Sequence, residues 1–515
     1  MTSTPARVDL SLISHTNVGK TTLARTLLRR DIGDVSDRPH VTDLAESDVL
    51  IESLEGDSLV LWDTPGFGDS ARLLRRLQQA DQPVGWFLSQ VWDRFADRPF
   101  WCGQQAMRNV RDSSDVILYV ANASEQPSAT AYVDIEMQIL EWLGKPVILL
   151  LNQLGPPRDS AYLQTELKQW EAQAAHYPCV QAVLPFDAFA RCWVQEGTLL
   201  DHVQRALPTG KRATFARLRE AWKQRNLAVF EHSMRTLSHQ LAAIAIDSEP
   251  IVDLDLRGKT RAWIGTLTGG VERDAAELQR AQSVLASRLD AQVRATTKEL
   301  VRLHGLSGNA TGEVLQRLGH QFSVRRPADA DKASVIGGLV SGAVGGLAAD
   351  LGAGGLTFGA GALIGGVLGA FGARGIARAY NLARGSQDGT VRWSSEFLES
   401  RLAAALMRYL AVAHFGRGRG DFVAGLAPAH WQLTVNEAVE TRRAPLQSVW
   451  ANALAADADS SNTDTTAAAL LPIVAASARE VLDHLYPDSM IDESGSRAAC
   501  PIAVPRSTYR GPESV

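Results

Sequence analysis

Short apolar runs punctuate the first two hundred positions: VDLSLIS from Val8, VLIES from Val49, SLVLWD from Ser58, DVILYVAN from Asp115, PVILLLN from Pro146 and CVQAVLPF from Cys179. Between them the apolar residues fall at helical spacing. The pattern therefore predicts strands alternating with helices, an α/β domain on a mostly parallel sheet covered on both faces. We place this domain at residues 1–207, closing before the turn-forming Pro208-Thr209-Gly210. A stretch rich in Trp, Arg and Gln, about 70–112, reads as a helical insertion. From 208 to 330 the period changes to long amphipathic helices, as in FARLREAWKQRNLAVFEHSMRTLSHQLAAIA, and predicts a bundle packing on itself. A Gly-rich apolar hairpin (331–385), a further helical region (386–486) and a disordered tail (487–515) complete the mainly α-helical C-terminal half.

Composition narrows the function classes. A chain of 515 residues exceeds one ordinary core, so two or three domains are expected. The 52 Lys and Arg against 57 Asp and Glu leave a net charge of -5, which supplies no overall basic field and argues against nucleic acid as a partner. Cys102, Cys179, Cys192 and Cys500 form no CxxC pair and read as structural thiols of a reducing cytosol. The N-terminus lacks a basic stretch followed by a long apolar one, so a cytoplasmic location without a secretory signal is expected.

The first strand runs into Ser14-His15-Thr16-Asn17-Val18-Gly19-Lys20-Thr21-Thr22, and a helix follows. This is the context of a phosphate-binding Walker A loop, where backbone N–H groups and a helix N-terminus wrap a β-phosphate. Ser14, Asn17, Val18, Gly19, Lys20, Thr21 and Thr22 are its candidate nucleotide-binding residues. Lys20 would neutralise β- and γ-oxygens, and the Thr21 hydroxyl would ligate Mg2+. Ser14 replaces the first glycine of the motif at some cost in backbone freedom. Downstream, SLVLWD ends in Asp63-Thr64-Pro65-Gly66, a DxxG whose Asp63 would hold the metal through water and whose Gly66 amide would sense the γ-phosphate. Between the motifs, Thr42 in SDRPHVTD is the candidate switch threonine, completing the Mg2+ shell. The metal set is thus Thr21, Thr42 and Asp63, and the catalytic set is Lys20, Thr42 and Gly66.

Together SHTNVGKTTL, PHVTD and DTPG resemble the Era and tRNA-modification branch of the translation-factor class of P-loop GTPases, over roughly residues 5 to 207. The layout with NQLGPPR, DAFARCW and a Gly-rich helical C-terminal half looks like a bacterial GTPase family whose C-terminal domain has no assigned function. The resemblance implies GTP and GDP as ligands and Mg2+-dependent hydrolysis. Where Ras-like proteins place a water-orienting glutamine, this chain has Phe67, an apolar side chain that cannot orient water, a replacement shared by Era-like proteins. Several relatives use K+ held partly by a phosphate-loop asparagine. Asn17 occupies that position, and either this role or a hydrogen bond to its own loop is open to it.

The guanine site is incomplete. Where the Asn-Lys-x-Asp motif has its base-pairing carboxylate, this chain has Gly155. Losing a bidentate, charge-assisted contact should weaken guanine selectivity. Asn152 can still tie this loop to the phosphate loop, and the stem of Gln153 can cover one ring face. At Asp187-Ala188-Phe189, the Ala188 amide could donate to guanine O6. Asp159 and Asp187 are the carboxylates near enough in sequence to replace the missing one. The alternative for the motif is a strand end with a proline-stiffened turn.

Between 333 and 373 the only charged residue is Asp350, and glycines recur every fourth position at Gly338, Gly342 and Gly346 and at Gly361, Gly365 and Gly369. Such spacing lets helix backbones touch. Arg325, Arg326 and Lys332 before it and Arg374, Arg378 and Arg384 after it place positive charge at both ends, as for a hairpin entering the inner membrane from the cytosol. A tightly packed soluble hairpin or a self-association surface is the alternative. The sequence thus predicts a GTP-hydrolysing switch with a helical, membrane-associated effector half. The alternatives are a nucleotide-binding scaffold with little hydrolysis and relaxed base selectivity, and an RNA- or ribosome-associated Era-like protein.

Overall fold

A computed structural model describes residues 5–29, 45–79, 82–90, 95, 97–154, 160–186, 192–251, 269–306, 376–380, 389–414, 429–455 and 460–486. Thr42, Gly155, Asp159, Asp187, Ala188, Cys500, the segment 333–373 and the tail 487–515 lie outside the described residues.

Strand β1 (Arg7–Ser14) alternates its side chains between two hydrophobic clusters, as a pleated strand buried on both faces must. Around it run β2 (Glu46–Glu52), β3 (Ser58–Asp63), β4 (Val116–Asn122), β5 (Val147–Asn152) and β6 (Val180–Pro185) in the order β2-β3-β1-β4-β5-β6. All pairs are parallel except β2 with β3. That antiparallel edge hairpin is the departure from a wholly parallel sheet, and its short Glu55-Gly56 turn permits it because Gly56 takes φ +86°.

One face is covered by α2 (Ser70–Leu77), α3 (Pro83–Ser89), α4 (Arg98–Asp112), α5 (Ala131–Glu141) and α6 (Ser160–Ala174). The segment expected as a helical insertion thus holds three helices, which bury Leu73, Leu77, Phe87, Phe100 and Met107 with Ile117 and Tyr119 of the sheet. On the same side, the Ser11 hydroxyl donates to Asn109 of α4 at 2.6 Å, satisfying a polar group inside the core.

The opposite face carries α1 (Lys20–Leu28), α7 (Trp193–Ala206) and α8 (Thr209–Ile246). α8 is 38 residues long, about 57 Å at helical rise. Its buried stripe, Phe215, Leu218, Trp222, Phe230, Leu237 and Leu241, keeps the three-to-four spacing of a core face. Pro208, expected in a turn, is its N-cap, and proline's fixed φ suits that entry. Around α8 pack α9 (Gly269–Leu303), α10 (Ser395–Ala413), α12 (Arg443–Ala455) and α13 (Ser460–Leu485), with α11 (Ala429–Thr441) against α10 and α13, giving the mainly helical half. Its buried residues and the α1 side of the sheet belong to one continuous hydrophobic cluster.

The helical reading of this half omits three strands. β7 (Ser248–Ile251), β8 (Ile376–Tyr380) and β9 (Gly389–Trp393) form an antiparallel sheet in the order β7-β9-β8. Val391, inside the stretch expected as helical, lies in β9, and the helix begins at Ser395 behind a Ser394 N-cap whose hydroxyl accepts from the Phe397 N–H. Among the described residues one helical stretch, Ser461–Leu485, is long and apolar enough to cross a membrane by length and composition. Its buried stripe of Ala467, Leu470, Val474, Ala478 and Val481 belongs to the core shared with α8.

Polar ties fix α8 to the sheet. Arg217 Nε meets Asp57 Oδ2 at 2.7 Å, Lys211 Nζ meets Asp115 Oδ2 at 2.6 Å, and Arg29 at the end of α1 donates to Asn226 at 2.7 Å. The Arg217 hydrogen bond, against the opposing cost of burial and with help from the Ala6 amide, holds the Asp57 carboxyl below its ordinary range. A depressed folded pKa contributes stability that is present above the unfolded value, about 3.9, and is lost as pH falls through the folded one. Asp57→Asn is therefore expected to lower the calorimetric Tm at pH 7 by about 2 °C. The gap to the parent should close as the pH is taken from about 4 downwards.

Candidate functional site

β1 delivers the chain into the loop His15–Gly19, and α1 starts at Lys20. Two backbone positions make the loop possible. Asn17 sits at φ 64° and Gly19 at φ 88°, both left-handed; asparagine tolerates this conformation and glycine is free in it. A Cβ on Gly19 would also lie 2.8 Å from Asn152 Nδ2, so the position excludes any larger residue. Val18, Lys20 and Thr22 are buried, and the loop presents its backbone around the start of α1.

Lys20 and Thr21 converge on the DxxG aspartate at the end of β3. Lys20 Nζ stands 2.8 Å from Asp63 Oδ1, and Thr21 Oγ1 donates to Asp63 Oδ2 at 2.7 Å. Both Lys20 and Asp63 side chains are less than a tenth exposed, so each charge needs the other. Thr21 and Asp63 offer hard oxygen donors at one point beside a helix N-terminus, a donor set that fits Mg2+ and leaves most of its shell to water and phosphate. Among the described residues no group of three or more His, Cys, Asp or Glu is placed to hold a metal.

Beyond Asp63 the chain doubles back onto the phosphate loop. Thr64 Oγ1 donates to the Leu12 carbonyl at 2.6 Å, the Phe67 N–H donates to the Ser14 carbonyl at 3.0 Å, and His15 and Phe67 form a parallel bridge. Gly66 lies so close that a Cβ would meet His15 O and Thr16 Cα at 3.3 Å. Its amide is thereby kept beside the phosphate loop. Phe67, where a water-orienting glutamine would stand, is 1% exposed and packs inside the core with the α2–α4 helices.

The base-side loop is tied to the same place. Asn152, fully buried at the end of β5, donates Nδ2 to the Val18 carbonyl at 2.8 Å and so ties the two loops together. Gln153 follows in the left-handed region at φ 59°, with its amide near Gly19. The structure thus brings Ser14, Asn17, Val18, Gly19, Lys20, Thr21, Thr22, Asp63, Gly66, Asn152 and Gln153 around one loop. Thr42, Asp187 and Ala188 fall outside the described residues.

Motif reading misses a second shell of charge. Glu136 of α5 is fully buried and accepts from His15 Nδ1 at 2.7 Å, Ser70 Oγ at 2.5 Å and Tyr119 OH at 2.6 Å. The His15 ring stacks on Tyr132, centroids 4.6 Å apart. Burial works to lower the His15 pKa, but the hydrogen bond and charge of Glu136, with Glu125 behind, outweigh it and raise the value above the ordinary one. Burial and the same carboxylate push the Tyr119 hydroxyl far up, so it remains a donor. One signal in the sequence could have found Glu136: it falls on the apolar stripe of its helix with Val133, Met137 and Leu140, where a charge needs a partner.

Comparison with known proteins agrees with this layout. Residues 9–153 match the family described as 50S ribosome-binding GTPase, and residues 178–470 match the family described as a domain of unknown function, DUF3482. No curated protein matches the chain. Similar solved structures include an Era variant of Aquifex aeolicus bound to GDP and AlF4−, with 18% identity over 39% of this chain and 57% of that one, at a TM-score of 0.29. Era in complex with MgGDPNP and a segment of 16S ribosomal RNA is 18% identical over 40% of this chain and 58% of that one, at a TM-score of 0.29. A bacterial selenocysteine-specific elongation factor is 14% identical over 39% and 28% of the two chains, at a TM-score of 0.24. The chain spans less than two thirds of the length of each. With a P-loop GTPase domain in front and a match over residues 178–470, more than half of its length, the protein belongs to the DUF3482 family.

Proposed function

We propose that the protein is a GTP-hydrolysing switch whose nucleotide state is passed through α8 to the helical half. The observation that carries this reading is the convergence of Lys20 and Thr21 on Asp63, with Gly66 folded back onto the same loop. The reaction would be an in-line attack of water on GTP, giving GDP and phosphate. Lys20 would neutralise charge on the transferred group, and the Gly66 amide would read its presence. Mg2+ held by Thr21 and Asp63, with Thr42 from the preceding loop, would supply charge neutralisation across the β- and γ-oxygens. Asn17 would help hold K+, which substitutes for an arginine finger.

The finer likeness to the Era and tRNA-modification branch rests on SHTNVGKTTL and DTPG. α8 is suited to output because it touches both ends of the segment that contains Thr42. Asn226 of α8, with Glu196 of α7 beside it, faces Arg29 before it, and Arg217 of α8 holds Asp57 of the β2–β3 turn after it. A cytoplasmic site of action, with 333–373 docking on the inner membrane or on a second copy, belongs to the same proposal. A second reading, a nucleotide-binding scaffold with slow turnover, is favoured by the burial of Phe67, which leaves its position unable to orient water. The ribosome binding named for the matched GTPase family is the alternative partner class.

Titration with fluorescent GTP tests the binding claim. Lys20→Ala is expected to weaken affinity by roughly 100-fold, the loss of about two charge-assisted hydrogen bonds. GTP should bind more tightly than ATP, and equal affinities would overturn the guanine assignment. Phosphate release should require Mg2+ and run about tenfold faster in K+ than in Na+, with Asn17→Ala removing the preference. Tight binding with release no faster than in Lys20→Ala would instead establish the scaffold reading.

A further inference from the structure

Glu136 joins three elements at one carboxylate. Its Oε1 accepts from the phosphate loop at His15 and from the first residue of α2 at Ser70, while Oε2 accepts from Tyr119 of β4. Ser70 stands four residues beyond Gly66, and Asp69 beside it caps α2 by accepting from the Arg72 N–H at 2.9 Å. Pinning Ser70 therefore pins the end of the Gly66–Ser70 turn, whose start is already tied by the Phe67 N–H to Ser14. A buried carboxylate is costly without a cation, and among the described residues no Lys or Arg pairs with Glu136. His15 is its one ionisable donor able to carry positive charge, and it is the only member of the cluster with substantial exposure, its side chain 28% open.

We propose that Glu136 is a positioning residue that latches the γ-phosphate-sensing turn onto the phosphate loop. The role of the turn rests on the GTPase reading above; the latch itself rests on the geometry of the cluster. The groups facing His15 are Glu136 and Tyr132 of α5, Glu125 before it, and Tyr119 through the shared carboxylate. Bonds to a carboxylate are charge-assisted and about twice as strong as those between neutral groups, so the Glu136 charge is what holds Ser70 firmly. Without it Ser70 leaves more readily, which loosens the far end of the turn that carries the Gly66 amide.

Hydrogen exchange of residues 66–77 in the full chain, corrected for intrinsic rates, reads the latch without any nucleotide. Glu136→Gln and Ser70→Ala should each lower protection there by roughly five- to tenfold relative to the parent. Protection equal to the parent in both variants overturns the proposal. Should Glu136→Gln fail to fold, Ser70→Ala, which removes a single hydroxyl, decides alone. In parallel, kcat for GTP should fall in both variants with KM unchanged. Failure of the parent to bind GTP at any pH would count against the GTPase reading, while the exchange data would still judge the latch.

Discussion

The burial of one sheet face beneath α7 and α8 is the contact on which the two halves of this protein depend. Val8, Leu10 and Leu12 of β1, Leu59 and Leu61 of β3, and Val116, Leu118 and Val120 of β4 turn the same way, into a core that continues through α8 to α10 and α13. Each such side chain, fully buried, contributes about 1.5–3 kcal/mol, whereas a partly exposed ion pair such as Lys211 with Asp115 contributes about 1 kcal/mol or less. Apolar area therefore holds the helical half to the sheet, and the polar ties set where along α8 it sits. A domain of separate function hung on a flexible linker would need no such core. Here the helix that begins just after the sheet domain is itself part of both.

That arrangement gives the phosphate loop a rigid floor and a connected neighbour. The loop's curvature comes from two left-handed residues, and Asn152 locks it from the base side through the Val18 carbonyl. Two satisfied sets of buried charge flank it: Lys20 with Asp63 and Thr21, and Glu136 with His15, Ser70 and Tyr119. In a low-dielectric interior each set holds its geometry because a member moved out leaves an uncompensated charge behind. The two sets meet at the phosphate loop, one gripping its end at Lys20 and the other its start at His15.

The four central strands, β1, β3, β4 and β5, were legible because a strand buried on both faces must be apolar along its length, and SLVLWD and PVILLLN have no other reading in an alternating pattern. The phosphate motif was legible because its requirements are local: a small-residue loop between a strand and a helix, with lysine and a hydroxyl at its end. The small sheet β7-β9-β8 was not. Its strands are four or five residues long, β7 contains Pro250, and its partner β9 lies more than a hundred residues away, so neither carries a period long enough to register. Val391 falls inside the stretch expected as helical because the run after it is helical, and only pairing with Glu249 and Arg378 makes it a strand.

By itself the sequence determined the order of strands and helices in the sheet domain, the loop motif between β1 and α1 and the change to a mainly helical half, since each is written in neighbours a few positions apart. Tertiary structure alone decided which faces share a core, that α8 grips Asp57 and Arg29, and that Glu136 gathers His15, Ser70 and Tyr119. These partners stand between 17 and 197 positions apart. Hydrogen bonds act over about 3 Å in space and impose no pattern on sequence at such separations, so only the folded chain shows which donor meets which acceptor.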